Sequence, residues 1–315
     1  MTAAIVDVQN LTKRFGTTPV LRGLSFSVAS GTVLGVLGPN GAGKTTAINC
    51  LTTLLTPDSG TATIAGYSVV DQPESVRALI SLTGQFAAVD EALTARENLI
   101  LFGRLLRLSS AAAKRRADEL LTQFELTEAA NRQVKTFSGG MRRRLDLAAS
   151  IVVLPLVLFL DEPTTGLDPR SRQQLWAVVK ALKTQGITII LTTQYLEEAD
   201  ALADQIIVID QGQVIAEGTA DDLKDSVGGK FCEIRLVNLE NAAKTRLLLA
   251  DIGEMTLGEM GESGPLVIAA PEGARTLTEI VLRLESANIP LADISLRRPS
   301  LDDVFFALTG HTTKN

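Results

Sequence analysis

The 315-residue chain is long enough for roughly two domains of about 150 residues each. Hydrophobic residues make up 45% and charged residues 21%, with 25 glycines and 11 prolines, a globular balance that excludes disordered, collagen-like and low-complexity classes. A net charge of −6 argues against a nucleic-acid-binding role, which usually needs a basic surface, and two cysteines cannot build a disulfide framework or a four-ligand zinc site. Cys50 and Cys232 read as small buried hydrophobes in a reducing compartment.

In chain order, Ile5–Val8 and Leu24–Val28 read as strands, and Thr32–Leu37 as a buried strand entering a glycine-rich turn. Thr61–Ile64 and Leu79–Thr83 are further strands. A helical stretch follows, with Leu99, Phe102 and Leu106 on one face and Ala117, Leu120, Leu121 and Phe124 on another. Strands resume at Leu156–Leu160, Thr188–Leu191 and Ile206–Ile209. Between the first two lies a helix with Leu175, Val178, Val179 and Leu182 on one face. Asp168-Pro169 opens it, as N-cap and first-turn proline. Ile206–Asp210 and Gln213–Glu217 flank a Gln211-Gly212 turn and predict a hairpin. This alternation predicts an α/β domain.

Val227-Gly228-Gly229 reads as a linker, so the expected division is 1–226 and 227–315. Beyond it, Phe231–Val237, Leu266–Ala269 and Ala292–Leu296 read as strands. Leu277, Ile280, Val281 and Leu284 form a helical stripe. A last helix starts at Ser300, with Asp303 completing a capping box and Leu301, Val304, Phe305 and Leu308 on one face. That predicts a small α+β domain. The longest apolar stretch, Leu147 to Leu160, is interrupted by Ser150 and Pro155 and is shorter than the roughly 20 residues of a bilayer span. The N-terminus lacks a signal-peptide pattern. A cytosolic protein is expected, reaching a membrane only through a partner.

Gly38-Pro39-Asn40-Gly41-Ala42-Gly43-Lys44-Thr45 fits G-x-x-x-x-G-K-[ST], between a predicted strand and a predicted helix. The glycines let backbone N–H groups turn around phosphate oxygens, and the helix start adds its partial positive charge. Lys44 is expected on the β/γ-phosphates and the Thr45 hydroxyl on Mg²⁺; Thr46 follows on the same helix. Leu156–Leu160 ends in Asp161-Glu162. In this context Asp161 is expected to hold Mg²⁺ and Glu162 to act as general base toward water. Taken without the phosphate loop, the pair is only a buried strand stopped by surface acids.

Ser138-Gly139-Gly140-Met141 is a second capped, glycine-rich helix start, followed by Arg142-Arg143-Arg144, which reads as a solvated helix face. With this second phosphate-binding device the chain resembles the nucleotide-binding subunits of ABC transporters, whose signature is usually Leu-Ser-Gly-Gly-Gln. The resemblance implies a RecA-like P-loop core with a helical insert over about residues 86–150. It implies two copies facing head to tail, with Ser138, Gly139, Gly140 and Met141 touching the ATP held by the opposite copy. It places Gln85 on Mg²⁺ and water at the hinge of the insert. It sets Phe15 against adenine, with a core aromatic as the lesser alternative. It makes Gly166, Leu167 and Asp168 a loop joining the two active sites. Gln194 stands where most relatives carry a histidine that contacts the γ-phosphate, and Met141 stands where they carry glutamine. The only histidine, His311, reads as a tail residue.

Ser-Gly-Gly-Met-Arg-Arg-Arg, Leu-Thr-Thr-Gln-Tyr-Leu-Glu-Glu-Ala-Asp and the segment Leu296–Phe305 together look like the daunorubicin/doxorubicin-resistance ATP-binding proteins of actinobacteria. This implies an ATPase using ATP and Mg²⁺, at the cytoplasmic face of the membrane. Its implied partners are an integral-membrane permease and a second copy, with no nucleic acid. It would power export of a drug-like or lipophilic compound. A nucleotide-sensing or soluble regulatory ATPase, uncoupled from transport, is the alternative.

Overall fold

The computed structural model describes residues 4–84, 87–226, 230–252, 255–257 and 265–309. The chain divides into two compact units, Met1–Ala220 and Asp221–Asn315.

In the first unit, β1 (Ala4–Phe15) and β2 (Thr18–Ala29) form a long antiparallel pair around a turn at Gly16. Both outrun the predicted strands. Their polar outer halves carry no alternating apolar signal, and bulges break the register. β3 (Val33–Leu37) enters the glycine-rich loop, and α1 (Lys44–Leu51) leaves it. Next come β4 (Ser59–Ile64), β5 (Tyr67–Ser68), α2 (Pro73–Arg77) and β6 (Ile80–Thr83). The insert then supplies α3 (Ala95–Leu105), α4 (Ser110–Gln123) and α5 (Gly139–Ser150). Thr94 and Glu97 form a capping box at the start of α3. Leu106 does not continue its buried stripe: it is the C-cap and is exposed. The rest is β7 (Val157–Asp161), α6 (Pro169–Thr184), β8 (Thr188–Thr193), α7 (Leu196–Leu202), β9 (Gln205–Asp210) and β10 (Gln213–Gly218). Leu156, read as strand, is exposed just before β7.

Six strands form the central sheet in the order β10-β9-β3-β8-β7-β6, parallel except for the closing hairpin. That hairpin turns at Gln211 and Gly212, both with positive φ, as a type I′ turn requires. A second, antiparallel sheet has the order β2-β1-β4-β5. Every residue of β7 and β8 is buried, which explains why Val157–Leu160 and Ile189–Leu191 are apolar without alternation. Val157, Phe159 and Ile190 pack with the antiparallel sheet and α1. Leu158, Leu160, Ile189 and Leu191 pack on the opposite face with the insert and α6. The central strands are therefore clamped from both sides, and their C-terminal ends are fixed. In open α/β sheets these ends are where ligands bind.

The second unit opens with α8 (Ala220–Ser226), ahead of the expected boundary at 226/227. It comprises β11 (Lys230–Leu236), α9 (Ala242–Leu249), β12 (Met255–Leu257), β13 (Leu266–Ala270), α10 (Ala274–Ser286), β14 (Leu291–Arg297) and α11 (Leu301–Thr309). Its antiparallel sheet runs β12-β13-β11-β14, the split β-α-β topology of ferredoxin-like folds. Three strands were expected and four are present. Cys232, Ile234, Ile268, Ile280 and Leu284 share one core. At the start of α11, the Ser300 N–H donates to Asp303 and the Asp303 N–H to Ser300 Oγ, the reciprocal bonds of a capping box. Leu301, Val304 and Phe305 are buried, but Leu308 is exposed. His311 lies outside the described residues.

Candidate nucleotide site

The loop Gly38–Thr45 joins β3 to α1 at the C-terminal end of the sheet. Gly38 cannot be larger, because a Cβ there would lie 2.3 Å from the Ile209 carbonyl oxygen. The Gly212 N–H donates to the Ala42 carbonyl and ties the loop to the β9–β10 hairpin. Gly38, Ala42, Gly43 and Lys44 are buried, Pro39 and Thr46 half-buried, and Asn40, Gly41 and Thr45 exposed. The Lys44 ammonium donates to the carbonyls of Gly38 (2.7 Å) and Pro39 (3.1 Å). Burial pushes its pKa below the usual lysine value, while the charges of Glu162 and Asp161 pull the other way.

Asp161 ends β7 and is buried. Its Oδ1 accepts the Thr192 hydroxyl at 2.5 Å and the Thr45 hydroxyl at 3.3 Å. Thr45 and Asp161 therefore present two hard oxygen donors side by side, a set that suits Mg²⁺ completed by phosphate and water oxygens. Glu162 follows with φ 47°, a left-handed conformation costing of order 1–3 kcal/mol. It is held there: its N–H is shared between the Thr192 carbonyl (3.1 Å) and hydroxyl (3.0 Å). The Thr165 hydroxyl donates to its carboxylate at 3.3 Å. Thr192 was missed as a site residue because it is one of three threonines in a wholly buried strand and nothing in the sequence singles it out. Its signal is the register, which pairs it directly with Asp161.

Ser138 caps α5, accepting the Met141 N–H at 3.2 Å. Ser138 and Gly139 are exposed, while Met141 packs partly against the insert core. Gly140 is pressed on α6: a Cβ would meet Ser171 Oγ at 2.3 Å. Asp168 caps α6 through the Ser171 N–H (2.9 Å) and hydroxyl (2.6 Å), so Gly166, Leu167 and Asp168 lie next to the signature helix. Gln194 is half-buried, one residue past β8. Phe15 is 50% exposed at the end of β1, with the Lys13 ammonium 6.0 Å from its ring, so it is not a core aromatic. Gln85 lies outside the described residues.

The arginine run is not a solvated face. Arg142 pairs with Glu91 at 2.9 Å, and Arg144 reaches the Phe124 carbonyl at 3.2 Å. Arg143 is buried and reaches the carbonyls of Gly84, Asp161, Glu162 and Pro163. The available sequence signal was Asp146, three residues on and on the same helix face. Glu198 is also fully buried and accepts the Trp176 indole N–H at 3.1 Å; burial pushes its carboxyl above the usual carboxylate range.

These features are those of an ATP-binding cassette, and the model of the ABC transporter family matches residues 21–165. The chain is 52% identical to the doxorubicin resistance ATP-binding protein DrrA of Mycobacterium tuberculosis strain H37Rv, over 99% of this chain and 95% of that protein. It is 50% identical to the daunorubicin/doxorubicin resistance ATP-binding protein DrrA of Streptomyces peucetius, over 97% and 92%. An ATP-binding cassette solved as a dimer in a post-hydrolysis state with ADP and Pi superposes with a TM-score of 0.62. It is 27% identical, over 68% of this chain and 98% of that one.

The chain belongs to the ATP-binding subunits of ABC transporters. It is an ATPase that binds ATP, of a kind that dimerises and works with membrane permeases. Within the family it is similar over nearly its whole length to the daunorubicin/doxorubicin-resistance group. No helix among the described residues is long and apolar enough to cross a membrane.

Proposed function

We propose that this chain is the ATP-hydrolysing subunit of an exporter for a drug-like or lipophilic compound, held at the cytoplasmic face of the membrane by a separate permease. Two copies associate head to tail. In each site the Gly38–Thr45 loop and Lys44 of one copy bind the β- and γ-phosphates. Ser138, Gly139, Gly140 and Met141 of the other copy close over the γ-phosphate. Phe15 offers its exposed face to adenine. Thr45 and Asp161 would hold Mg²⁺, with Gln85 assigned to it as well, and a bound ion would supply charge neutralisation for the phosphates. Glu162 takes a proton from the attacking water, and Gln194 donates a hydrogen bond to the γ-phosphate. Gly166, Leu167 and Asp168 connect the two sites. The unit Asp221–Asn315 serves assembly or regulation rather than nucleotide contact.

The observation that carries this reading is the convergence of Lys44, Thr45, Asp161 and Glu162 at the ends of β3 and β7. Glu162→Gln tests it. ATP binding should persist, turnover should fall by about 10²-fold or more, and an ATP-bound dimer should accumulate on gel filtration. Near-normal turnover would remove Glu162 from the chemistry. Co-purification of a multi-helix membrane protein with the tagged chain tests the transport assignment; an ATPase uncoupled from transport would bring none down.

A further inference from the structure

Glu162 is a strained residue whose peptide has two anchors. Its N–H is fixed on Thr192 of β8. On the carbonyl side stands the Arg143 guanidinium, projecting from α5 into the interior. Arg143 Nε donates to the Pro163 carbonyl at 2.8 Å. Nη2 lies 3.2 Å from the Asp161 carbonyl and 3.4 Å from that of Glu162. Nη1 donates to the Gly84 carbonyl at 2.6 Å and lies 3.5 Å from Asp146 Oδ2. Asp146 Oδ1 in turn accepts the Ala88 N–H at 2.7 Å. One ion pair on one helix therefore grips three consecutive carbonyls around Glu162. It also holds the Gly84 carbonyl and the Ala88 N–H.

A purely structural pairing would be an odd use of two buried charges. Desolvation works against both, lowering the arginine's pKa and raising that of the aspartate. The planar guanidinium fork can meet several carbonyls at fixed angles, which a lysine or an apolar side chain cannot. The partners are also telling, because they are the peptides on either side of the residue assigned as base. α5 is the helix whose first turn, Ser138–Gly140, carries the signature.

We infer that Arg143, braced by Asp146, is a positioning residue for ATP hydrolysis: it holds the Glu162 peptide in its left-handed conformation and links that peptide rigidly to the signature helix. Contact of the signature turn with nucleotide is thereby felt at the base. Misplacing a catalytic group by about 1 Å can cost 10²-fold in rate without disturbing substrate binding. The inference rests on the assignment of Glu162 above.

The test compares Arg143→Met, Arg143→Lys and Glu162→Gln in the full-length chain, purified with its permease. It measures melting temperature, affinity for trinitrophenyl-ATP, and steady-state kcat and KM. Arg143→Met should keep nucleotide affinity and KM within about twofold and lose kcat by about 30-fold or more, with Arg143→Lys in between. A kcat within about twofold of the parent in folded Arg143→Met would overturn the inference, as would a fall in affinity matching the fall in kcat. If Arg143→Met does not fold, Arg143→Gln, whose amide can satisfy at most two of the carbonyls, is read by the same criteria. Retained turnover in Glu162→Gln would instead sink the assignment of the base, so the two failures are distinguishable.

Discussion

The first unit contains two glycine-rich helix starts, and they are built in opposite ways. The Gly38–Thr45 loop is buried at half of its residues, tied to the β9–β10 hairpin, and contains its own buried cation. The Ser138–Met141 turn carries no cation within it, and its first two residues are exposed. Only its inner side is constrained, by Gly140 against Ser171 and by Arg143 behind it. The first turn is held on its own chain by the hairpin and by Lys44, as the proposed phosphate cradle requires. The second is an exposed surface supported from behind, as the proposed contact with another copy requires. That contrast supports the composite-site proposal, and it can be broken at several points.

The largest effect is expected at Lys44. Lys44→Ala removes a charge-assisted contact to phosphate and should weaken ATP binding on the order of 100-fold, read by equilibrium binding to the isolated chain. Unchanged affinity in a folded variant would show that the loop is not the cradle.

Ser138→Arg should do the reverse. It should leave ATP affinity of the isolated chain within about twofold and cut turnover of the assembled complex by about 10²-fold, because the side chain blocks the other copy's γ-phosphate. A loss of affinity in the isolated chain would place the turn on its own chain's nucleotide and end the contrast.

The two turns also differed in how legible they were. The Gly38–Thr45 loop could be located because its residue types recur at fixed spacing, and its strand and helix context was visible in the apolar pattern. Asp161 and Glu162 were legible because β7 is buried on both faces, so the first acids must mark its end. Arg143 was not. A run of three arginines looks solvated, and only the tertiary fold shows the middle one turned inward toward carbonyls from distant segments. Thr192 was hidden because it is one of three threonines in β8, and only the register sets it against Asp161. In the second unit α9 was missed because its apolar periodicity is weak and no side chain caps its start. β12 was missed because three residues are too few to show alternation.

A smaller effect separates the two signature glycines. Gly140→Ala should destabilise the fold by about 1–3 kcal/mol, because Ser171 is fixed by the Asp168 cap and cannot easily yield. Gly139→Ala meets nothing nearer than Leu167 Cδ2 at 4.0 Å and should change stability by less than about 0.5 kcal/mol. If Gly139 is there to admit a phosphate from the other copy, Gly139→Ala should nevertheless slow turnover about tenfold. Denaturant melts and turnover assays on both variants decide this. Full turnover in Gly139→Ala would mean that nothing approaches that backbone closely.

The smallest effect is expected at Gln194, where the departure from the family histidine falls. The position is set by backbone. β8 ends at Thr193, whose hydroxyl accepts the Tyr195 N–H at 2.9 Å, so residue 194 is held between a strand end and a helix start. It is half-buried, and an imidazole is close enough in size to replace the amide without refolding the turn. Either side chain can donate one hydrogen bond, but only histidine can add a charge. Gln194→His should therefore leave ATP affinity within about twofold and change turnover by only about two- to fivefold. The direction is upward if the neutral amide limits phosphate positioning. The diagnostic is the pH profile. The parent should show no ionisation from this position, whereas the variant should gain one near the reference histidine value of about 6.5, with the rate change largest below it, where the imidazole is charged. Superimposable rates and pH profiles would mean that residue 194 does not reach the γ-phosphate, and hydrolysis would then rest on Glu162 and its peptide anchors.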